Sequence, residues 1–305
     1  MKNLYSTIIF IFIASCNNNQ IDEKVSMKFK VPSERFIIYK NFPSKYVIAR
    51  DIEVWLPNDY DNIKALPVLY MLDGQNIFHG KKDWNKNTYN HGWQVDETLD
   101  SLSDIGIISK MIVVGIFHTG VKRYSEYMPA QPAVDIKTYL SQSEMWIQNS
   151  YKMYGITSDQ FLKFIVEELI PFINTNYKTL KDKNSTFIAG SSMGGLISAY
   201  AICEYPNIFG GAACLSTHWS LLNGYFIKYL QGNLPNPVDH KIYFDYGTLG
   251  EDNAYEPYQL IVDSLMISNG YERNINWITK KFDGDEHHED SWRKRFHYPI
   301  TFLLN

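Results

Sequence analysis

Apolar residues along this chain follow two patterns, short uninterrupted runs and longer stretches with helical spacing. The runs predict strands buried on both faces of a parallel sheet at 67–72, 111–117 and 185–190, and further strands are predicted at 211–215, 241–246 and 274–280. Alternation of apolar and polar residues predicts an antiparallel start at 34–40 and 46–56. The helical stretches lie at 94–102, 158–173, 193–204, 220–230, 257–268 and 292–302, and Thr157 with Gln160 predicts a capping box for the second of them. Strands alternating with helices predict an α/β fold with a mostly parallel central sheet and helices on both faces.

One stretch, 129–156, shows no clear period and carries several aromatic residues, Trp146 among them. Segments of this length without regular structure are commonly functional. One interpretation is a cap over a substrate site, in which Trp146 contacts the substrate. The other is an irregular surface insertion, and the pattern leaves both open.

The first sixteen residues have the pattern of an export signal. Lys2 precedes an apolar run that is too short to span a bilayer, and the run ends in Ile13-Ala14-Ser15-Cys16. This ending resembles the lipobox of bacterial lipoproteins, which implies acylation of Cys16 and a lipid anchor. A cleaved signal peptide with a chance cysteine is the alternative. We expect a flexible tether at 17–30, a single domain at 31–305, and an outer-membrane location, since residue 17 is Asn rather than Asp.

Composition narrows the class of protein. Hydrophobic residues make up 45% and charged residues 20% of the chain, as in globular proteins, and the net charge of −4 gives no basic surface for nucleic acid. Three cysteines without a Cys-x-x-Cys pair predict neither a disulfide framework nor a zinc site. We therefore expect that the protein binds no metal. The composition does not indicate an oligomeric state.

The clearest chemical motif is Gly190-Ser191-Ser192-Met193-Gly194, which fits Gly-x-Ser-x-Gly around Ser192. It stands between a predicted buried strand and a predicted helix. A nucleophilic serine on such a sharp turn needs neighbours without side chains two positions away on either side. The helix that follows directs amide groups at the developing oxyanion. The motif predicts that Ser192 is a nucleophile.

Partners for this serine are expected after later strands, in the order serine, acid, histidine. His287 and His288 follow the last predicted strand, within an acidic stretch. Glu251 and Asp252 follow the strand at 241–246, and either could orient the imidazole. A metal site and a solvated loop are the alternatives for the histidine region.

Five segments resemble the putative-esterase family of α/β-hydrolases, which includes siderophore esterases, S-formylglutathione hydrolases, feruloyl and acetylxylan esterases, and mycolyltransferases. The segments are VLYMLDGQNIF (68–78), VVGIFHTGVKRYSEYMP (113–129), IAGSSMGGL (188–196), IYFDYGTLGED (242–252) and FDGDEHHEDSWRKRF (282–296). The resemblance covers the chain from about residue 34 onward and implies the α/β-hydrolase fold.

The resemblance also implies the roles of particular residues. It selects His287 by its distance from Gly284 and Trp292, and it leaves His288 facing solvent. It selects Asp252 as the acid that orients the histidine, and Glu251 is the second candidate for this role.

Further roles concern the walls of the site. The resemblance implies an oxyanion hole built from the amides of Met193 and Gln75. The segment of Arg123, Glu126 and Tyr127 is expected to form wall and scaffold and to contact substrate. A surface ion pair between Arg123 and Glu126 is the alternative.

The implied activity is hydrolysis of a carboxylic ester through an acyl-enzyme on Ser192, with no cofactor. The expected substrate is a small-molecule or saccharide ester, either an acylated or feruloylated saccharide or a siderophore-type ester. A siderophore-type ester would need a basic pocket for an anionic chelate, and the candidates for it are Lys122, Arg123 and Arg293. An acyltransferase using the same residues and a non-catalytic envelope-anchored binding protein are the alternatives. Glu289 stands where some relatives carry an aromatic residue, so substrate choice stays open.

Overall fold

The centre of the molecule, seen in a computed structural model, is an eight-stranded sheet in the described part of the chain. Its strands are β1 (Phe36–Phe42), β2 (Arg50–Trp55), β3 (Val68–Leu72), β6 (Ile112–Ile116), β7 (Thr186–Ser191), β8 (Gly211–Leu215), β9 (Lys241–Gly247) and β10 (Trp277–Phe282). Their spatial order is β1-β2-β6-β3-β7-β8-β9-β10. β1 and β2 pair antiparallel, as do β2 and β6, whereas the pairs from β6 to β10 are all parallel. The carboxyl ends of the parallel strands therefore share one edge, where ligands bind in open α/β sheets.

The structure describes residues 35–78, 82–83, 88–89, 92–132 and 145–305, without the side chains of residues 82–83, 88–89, 121 and 146. Two short strands, β4 (Lys82–Asp83) and β5 (Thr88–Tyr89), form a separate antiparallel pair. The predicted signal peptide, Cys16 and the tether lie outside these residues, as do residues 133–144 of the predicted cap and the side chain of Trp146.

Helices cover both faces of the sheet. In chain order they are α1 (Val95–Asp104), α2 (Arg123–Tyr127), α3 (Met145–Tyr154), α4 (Ser158–Lys163), α5 (Ile170–Asn176), α6 (Met193–Glu204), α7 (Ile227–Asn233), α8 (Glu256–Ser268), α9 (Glu289–Arg295) and α10 (His297–Leu304). Two apolar clusters fill the space between helices and sheet. Every residue of α6 from Met193 to Cys203 is buried, as expected for a helix that is apolar on all sides. None of the described helices is both long and apolar enough to cross a membrane.

Several predicted elements differ in detail. The stretch 158–173 begins at Ser158 as predicted, but the Thr157 side chain makes no capping hydrogen bond, and a π-helical turn at Phe164–Leu169 separates α4 from α5. The helix predicted at 220–230 is interrupted by positive φ angles at Leu222 and Asn223. The stretch 292–302, predicted as one helix, divides into α9 and α10. Part of 129–156, predicted to lack regular structure, forms the helix α3.

Candidate active site

The turn between β7 and α6 holds Ser192 in a strained conformation. Its φ of 58° and ψ of −123° are unfavourable for a residue with a Cβ atom. The Ser192 amide donates to the Leu215 carbonyl of β8 at 2.9 Å, and the Ser192 carbonyl accepts from the amide of His218 at 3.2 Å. These hydrogen bonds fix the backbone of Ser192 against the neighbouring strand, so that the strain is held by the surrounding structure.

The two glycines of the motif have different reasons to be glycine. A Cβ atom at Gly190 would lie 2.7 Å from the carbonyl carbon of Gly194, a backbone atom that cannot move aside. A Cβ atom at Gly194 would approach nothing closer than Asp73 Oδ2 at 3.4 Å. The strand and the helix thus meet most closely at Gly190.

We expect Gly190→Ala to lower the free energy of unfolding by about 3 kcal/mol or more, because the added methyl group forces the strand and the helix apart. Gly194→Ala is expected to change it by less than about 1 kcal/mol, since its contact is ordinary and alanine favours the helix. Urea unfolding of both variants measures the difference. Equal stability of the two variants would contradict the predicted clash.

Asp252 and His287 form the closest pair of acid and base in the site. Asp252 Oδ1 lies 2.5 Å from His287 Nδ1, and Asp252 is fully buried. Its other oxygen, Oδ2, accepts from Ser216 Oγ and from the Gly247 amide, each at 2.6 Å. Burial alone would raise the pKa of the Asp252 carboxyl, but hydrogen bonds from His287 and Ser216 outweigh it and hold this pKa below its ordinary value. Asp252 is therefore ionised at neutral pH.

Glu251, the reserve acid, occupies a different position. Its side chain is 68% exposed, and Oε2 lies 3.6 Å from His287 Nε2, the nitrogen on the far side of the ring from Asp252. Asp252, not Glu251, faces Nδ1. His288 is half exposed and accepts a hydrogen bond from the Asp290 amide at the start of α9, so it faces solvent as expected.

A buried polar network lies behind Asp252. Ser216 Oγ accepts from Trp292 Nε1 at 2.9 Å and from Arg295 Nη2 at 2.6 Å. Arg295 also pairs with Asp245 at 3.1 Å, and burial raises the pKa of Asp245 to about 6 although Arg295 opposes this shift. Because the Ser216 oxygen accepts two hydrogen bonds, its own proton is directed at Asp252. This network fixes the carboxylate that contacts His287.

The predicted oxyanion hole lies where β3 ends. Asp73 has a positive φ of 56°, and Gly74 begins a short 3₁₀ turn that includes Gln75. A Cβ atom at Gly74 would lie 2.5 Å from the carbonyl carbon of Gly115 in β6, so only glycine fits this close approach. Met193 is the first residue of α6, and its amide has no partner within the helix. Gln75 and Met193 thus follow two adjacent strands, which is consistent with their predicted role.

Arg123 and Glu126 do not form the surface ion pair that was the alternative for this segment. Arg123 makes two hydrogen bonds to Asp73, of 2.7 and 2.6 Å, which hold the turn before Gln75. Glu126 is buried and pairs with Arg50 at 2.6 and 3.0 Å. Tyr127 is also buried, and its hydroxyl accepts a hydrogen bond from the Asp73 amide. Glu126 and Tyr127 therefore lie in the scaffold of the site, as expected for this segment, and their contact with substrate stays a prediction that their burial does not favour.

Two residues at the nucleophile were missed by sequence reasoning. The amide of His218 donates to the Ser192 carbonyl, and the Tyr255 hydroxyl lies 2.7 Å from His218 Nδ1. The ring of Tyr255 also meets the His287 ring edge to face, with centroids 5.7 Å apart. The available signal was position alone, since His218 follows β8 and Tyr255 comes three residues after Asp252.

Burial lowers the pKa of His218 to about 4. The ordinary value in an unfolded chain is about 6.5, so the unfolded state binds more protons between these two values. The stability that neutral His218 contributes is present above pH 6.5 and is lost as pH falls towards 4.

We expect the difference in free energy of unfolding between wild type and His218→Asn to shrink by about 3 kcal/mol from pH 7 to pH 4. Urea unfolding across this range measures it. A constant difference for His218→Asn would show that its pKa is not lowered.

Within the residues described, no group of three or more His, Cys, Asp or Glu side chains is arranged to hold a metal ion. Cys203 and Cys214 are buried free thiols.

The sheet order, with its antiparallel start, and the strained serine between β7 and α6 define the α/β-hydrolase fold. The solved structures that share this fold include a ferulic acid esterase and an enterobactin esterase. The ferulic acid esterase AmCE1/Fae1A from Anaeromyces mucronatus, in complex with ferulic acid, is 19% identical with a TM-score of 0.60, covering 92% of this chain and 94% of its own. The enterobactin esterase FES from Shigella flexneri, in the presence of 2,3-dihydroxy-N-benzoyl-serine, is 18% identical with a TM-score of 0.60. The match covers 90% of this chain and 60% of the esterase.

The chain belongs to the family described as Putative esterase, whose model matches residues 48–298.

A relative by sequence is the uncharacterized protein YbbA of Bacillus subtilis (strain 168). It is 25% identical over 172 residues, which are 56% of this chain and 58% of YbbA. The match therefore spans little more than half the length of this curated relative.

Proposed function

We propose that this protein is a serine carboxylic-ester hydrolase that works through an acyl-enzyme on Ser192. The observation that carries the proposal is the meeting of three groups at one edge of the sheet. The backbone of the strained Ser192 is bonded to His218, and the His218 ring contacts Tyr255. Tyr255 packs on the ring of His287, and His287 is bonded to the ionised Asp252.

In the proposed first step, His287 acts as general base. The bond from Nδ1 to Asp252 fixes the tautomer that leaves Nε2 as the acceptor, so Nε2 takes the proton of Ser192 as Oγ attacks the ester carbonyl. The carboxylate of Asp252 then stabilises the imidazolium. The amides of Gln75 and Met193 donate to the carbonyl oxygen as it becomes negative, and one such donor typically lowers the barrier by about 3 kcal/mol.

Collapse of the tetrahedral intermediate releases the alcohol and leaves the acyl group on Ser192. His287 gives its proton to the departing alkoxide oxygen. Water then attacks the acyl carbonyl while His287 accepts its proton. The bond to Ser192 Oγ breaks, His287 returns the proton to Oγ, and the carboxylic acid leaves. The cycle needs no group besides these side chains and amides.

We propose that the substrate is an acylated or feruloylated saccharide, ahead of a siderophore-type ester. Of the three candidate cations for an anionic chelate, Arg123 is paired with Asp73 and Arg293 with Asp290. The exposed carboxylate of Glu251, beside His287, adds negative charge. These charges favour a neutral ester. The likeness to an esterase solved with ferulic acid supports an aromatic acyl group as the first to test.

We also propose that the enzyme is anchored by an acylated Cys16 in the bacterial cell envelope, with the outer membrane as its site. The lipobox-like ending of the apolar N-terminal run supports this. Incorporation of labelled palmitate into wild type, and its loss in Cys16→Ala, tests the anchor.

The proposed nucleophile is tested by labelling with a fluorophosphonate, followed by mass spectrometry of the modified peptide. We expect one adduct, on Ser192, and parallel loss of p-nitrophenyl ester hydrolysis. Methyl ferulate, acetylated xylan fragments and a catechol siderophore ester then rank the substrates. No adduct together with no turnover of any ester would refute the hydrolase; turnover only with an added acceptor alcohol would show an acyltransferase.

A further inference from the structure

We propose that Arg123 is a positioning residue for the oxyanion hole, which sets the direction of the Gln75 amide by holding Asp73. This inference rests on the proposed function and deepens it, because it gives Arg123 a task in the same reaction without a contact to the substrate. Arg123 acts through Asp73 and through the turn that follows Asp73.

Arg123 holds the Asp73 side chain at two points. Its Nε donates to Oδ1 at 2.7 Å, and its Nη2 donates to Oδ2 at 2.6 Å. Both side chains are mostly buried, with 17% of Arg123 and 13% of Asp73 exposed. Two parallel hydrogen bonds from a planar guanidinium fix the plane of a carboxylate as well as its position. The Asp73 side chain therefore has little freedom to rotate.

Tyr127 holds the backbone of the same residue. It stands four positions after Arg123, so both side chains leave one face of α2. The Tyr127 hydroxyl accepts from the Asp73 amide at 3.3 Å, and the Arg123 guanidinium lies 5.1 Å from the centroid of the Tyr127 ring. One short helix thus fixes Asp73 through its side chain and through its main chain.

Asp73 needs this support because its backbone is left-handed, with a φ of 56° and a ψ of 42°. Its carbonyl accepts from the Asn76 amide at 2.9 Å, which closes the turn after β3. The amide of Gln75, inside that turn, has no acceptor within it, since only the closing amide reaches back to the first residue. Its direction depends on the conformation of Asp73, because that residue begins the turn.

The Asp73 carboxylate also lies against the turn of the nucleophile. A Cβ atom at Gly194 would be 3.4 Å from Asp73 Oδ2, and Gly194 stands two residues after Ser192. The Gln75 side chain is anchored as well, since its Oε1 accepts from the His118 amide at 3.2 Å. The pair of Arg123 and Asp73 therefore fixes one proposed oxyanion donor relative to the start of α6, which supplies the other.

This role has a kinetic signature. Attack on the ester and attack of water on the acyl-enzyme both form an oxyanion, so a misdirected donor slows both steps. KM depends on substrate affinity and on the ratio of these two rates, so it should stay nearly unchanged while kcat falls. Loss of a contact to the substrate would raise KM instead.

Phenyl trifluoromethyl ketone reports on the oxyanion hole directly, because its adduct resembles the tetrahedral intermediate. Ser192 Oγ bonds to the ketone carbon, the serine proton passes to His287 Nε2, and the carbonyl oxygen becomes an alkoxide that faces the two amides. The inhibition constant of this ketone should rise in a variant by the same factor by which kcat falls.

The experiment compares Arg123→Gln with Arg35→Gln. Arg35 also pairs with a carboxylate, that of Asp100, at 2.9 and 2.7 Å, but it lies beside Leu56 at the opposite edge of the sheet from Ser192. In Arg123→Gln we expect kcat for p-nitrophenyl acetate to fall about 100-fold and the inhibition constant of the ketone to rise about 100-fold. KM should change by less than about threefold. Arg35→Gln should resemble wild type in all three quantities.

Two further variants separate the geometry of the pair from its charge. Arg123→Lys keeps the positive charge but loses the planar fork, so we expect a loss of kcat of about tenfold. Asp73→Asn keeps a residue that tolerates a left-handed backbone but directs an NH₂ group at the guanidinium, so its loss should approach that of Arg123→Gln. In the double variant Arg123→Gln/Asp73→Asn the losses should not add, because both act through one contact.

A raised KM with unchanged kcat in Arg123→Gln would overturn the inference, because Arg123 would then bind substrate. Unchanged affinity for the ketone, or additive losses in the double variant, would also overturn it. If urea unfolding shows that Arg123→Gln does not fold, the same criteria apply to Arg123→Lys and Asp73→Asn. Failure of the proposed function looks different, since wild type itself would then neither hydrolyse esters nor bind the ketone.

Discussion

Ser192→Ala is expected to lower kcat/KM for ester hydrolysis about 10⁴-fold or more, because it removes the attacking oxygen. The fold should persist. Alanine and serine both carry a Cβ atom, so the strain at a φ of 58° is the same. We expect the free energy of unfolding to change by less than about 1 kcal/mol. Stopped-flow hydrolysis and urea unfolding of the same preparation measure both quantities.

Ser191→Ala is the matched control, since Ser191 is the buried last residue of β7. Its side chain does not stand at the centre of the motif, so its turnover should stay within about fivefold of wild type. Retained turnover in Ser192→Ala, or equal losses in both variants, would remove Ser192 from the mechanism.

Asp252→Asn is expected to lower kcat about 10³- to 10⁴-fold. The Asp252 oxygen Oδ2 accepts hydrogen bonds from Ser216 and from the Gly247 amide. An asparagine must keep its oxygen there, and its NH₂ group then faces His287 Nδ1. Nδ1 becomes an acceptor, the ring proton moves to Nε2, and Nε2 can no longer take the serine proton.

Glu251→Gln separates the two acids that the sequence left as alternatives. Its side chain is mostly exposed and lies near Nε2 rather than Nδ1, so we expect less than a fivefold change in kcat. Steady-state kinetics with one p-nitrophenyl ester compares the variants. A larger loss in Glu251→Gln than in Asp252→Asn would reverse the assignment.

Much of the sheet could be predicted because its strands are uninterrupted apolar runs. The bounds of α6 and β8 agree with the prediction to the residue, since an apolar run and a glycine turn leave little alternative there. The position of Ser192 followed from the motif, whose spacing reflects the close approach at Gly190. Periodicity and turn chemistry are local, and local patterns can be seen in one sequence.

Long-range partners could not be predicted in the same way. Arg123 and Glu126 stand three residues apart and suggest a pair, yet their partners lie 50 and 76 residues away. The break near Leu222 carries one local signal, the pair Asn223-Gly224, but the apolar spacing of 220–230 favoured an uninterrupted helix. Tyr255 and His218 meet only because β8 and β9 are neighbours, and strand order is a property of the whole sheet.

The buried network around Ser216 has a consequence for how activity arises as the chain is made. His287, Trp292 and Arg295, which supply the base and two donors to Ser216, follow every other residue of the site in chain order. A growing chain thus presents Ser192 to the cell long before it holds a base. In the proposed mechanism, Ser192 stays unreactive until the segment from His287 to Arg295 has folded against β9. Ester hydrolysis by this protein therefore reports that its last-made segment is in place.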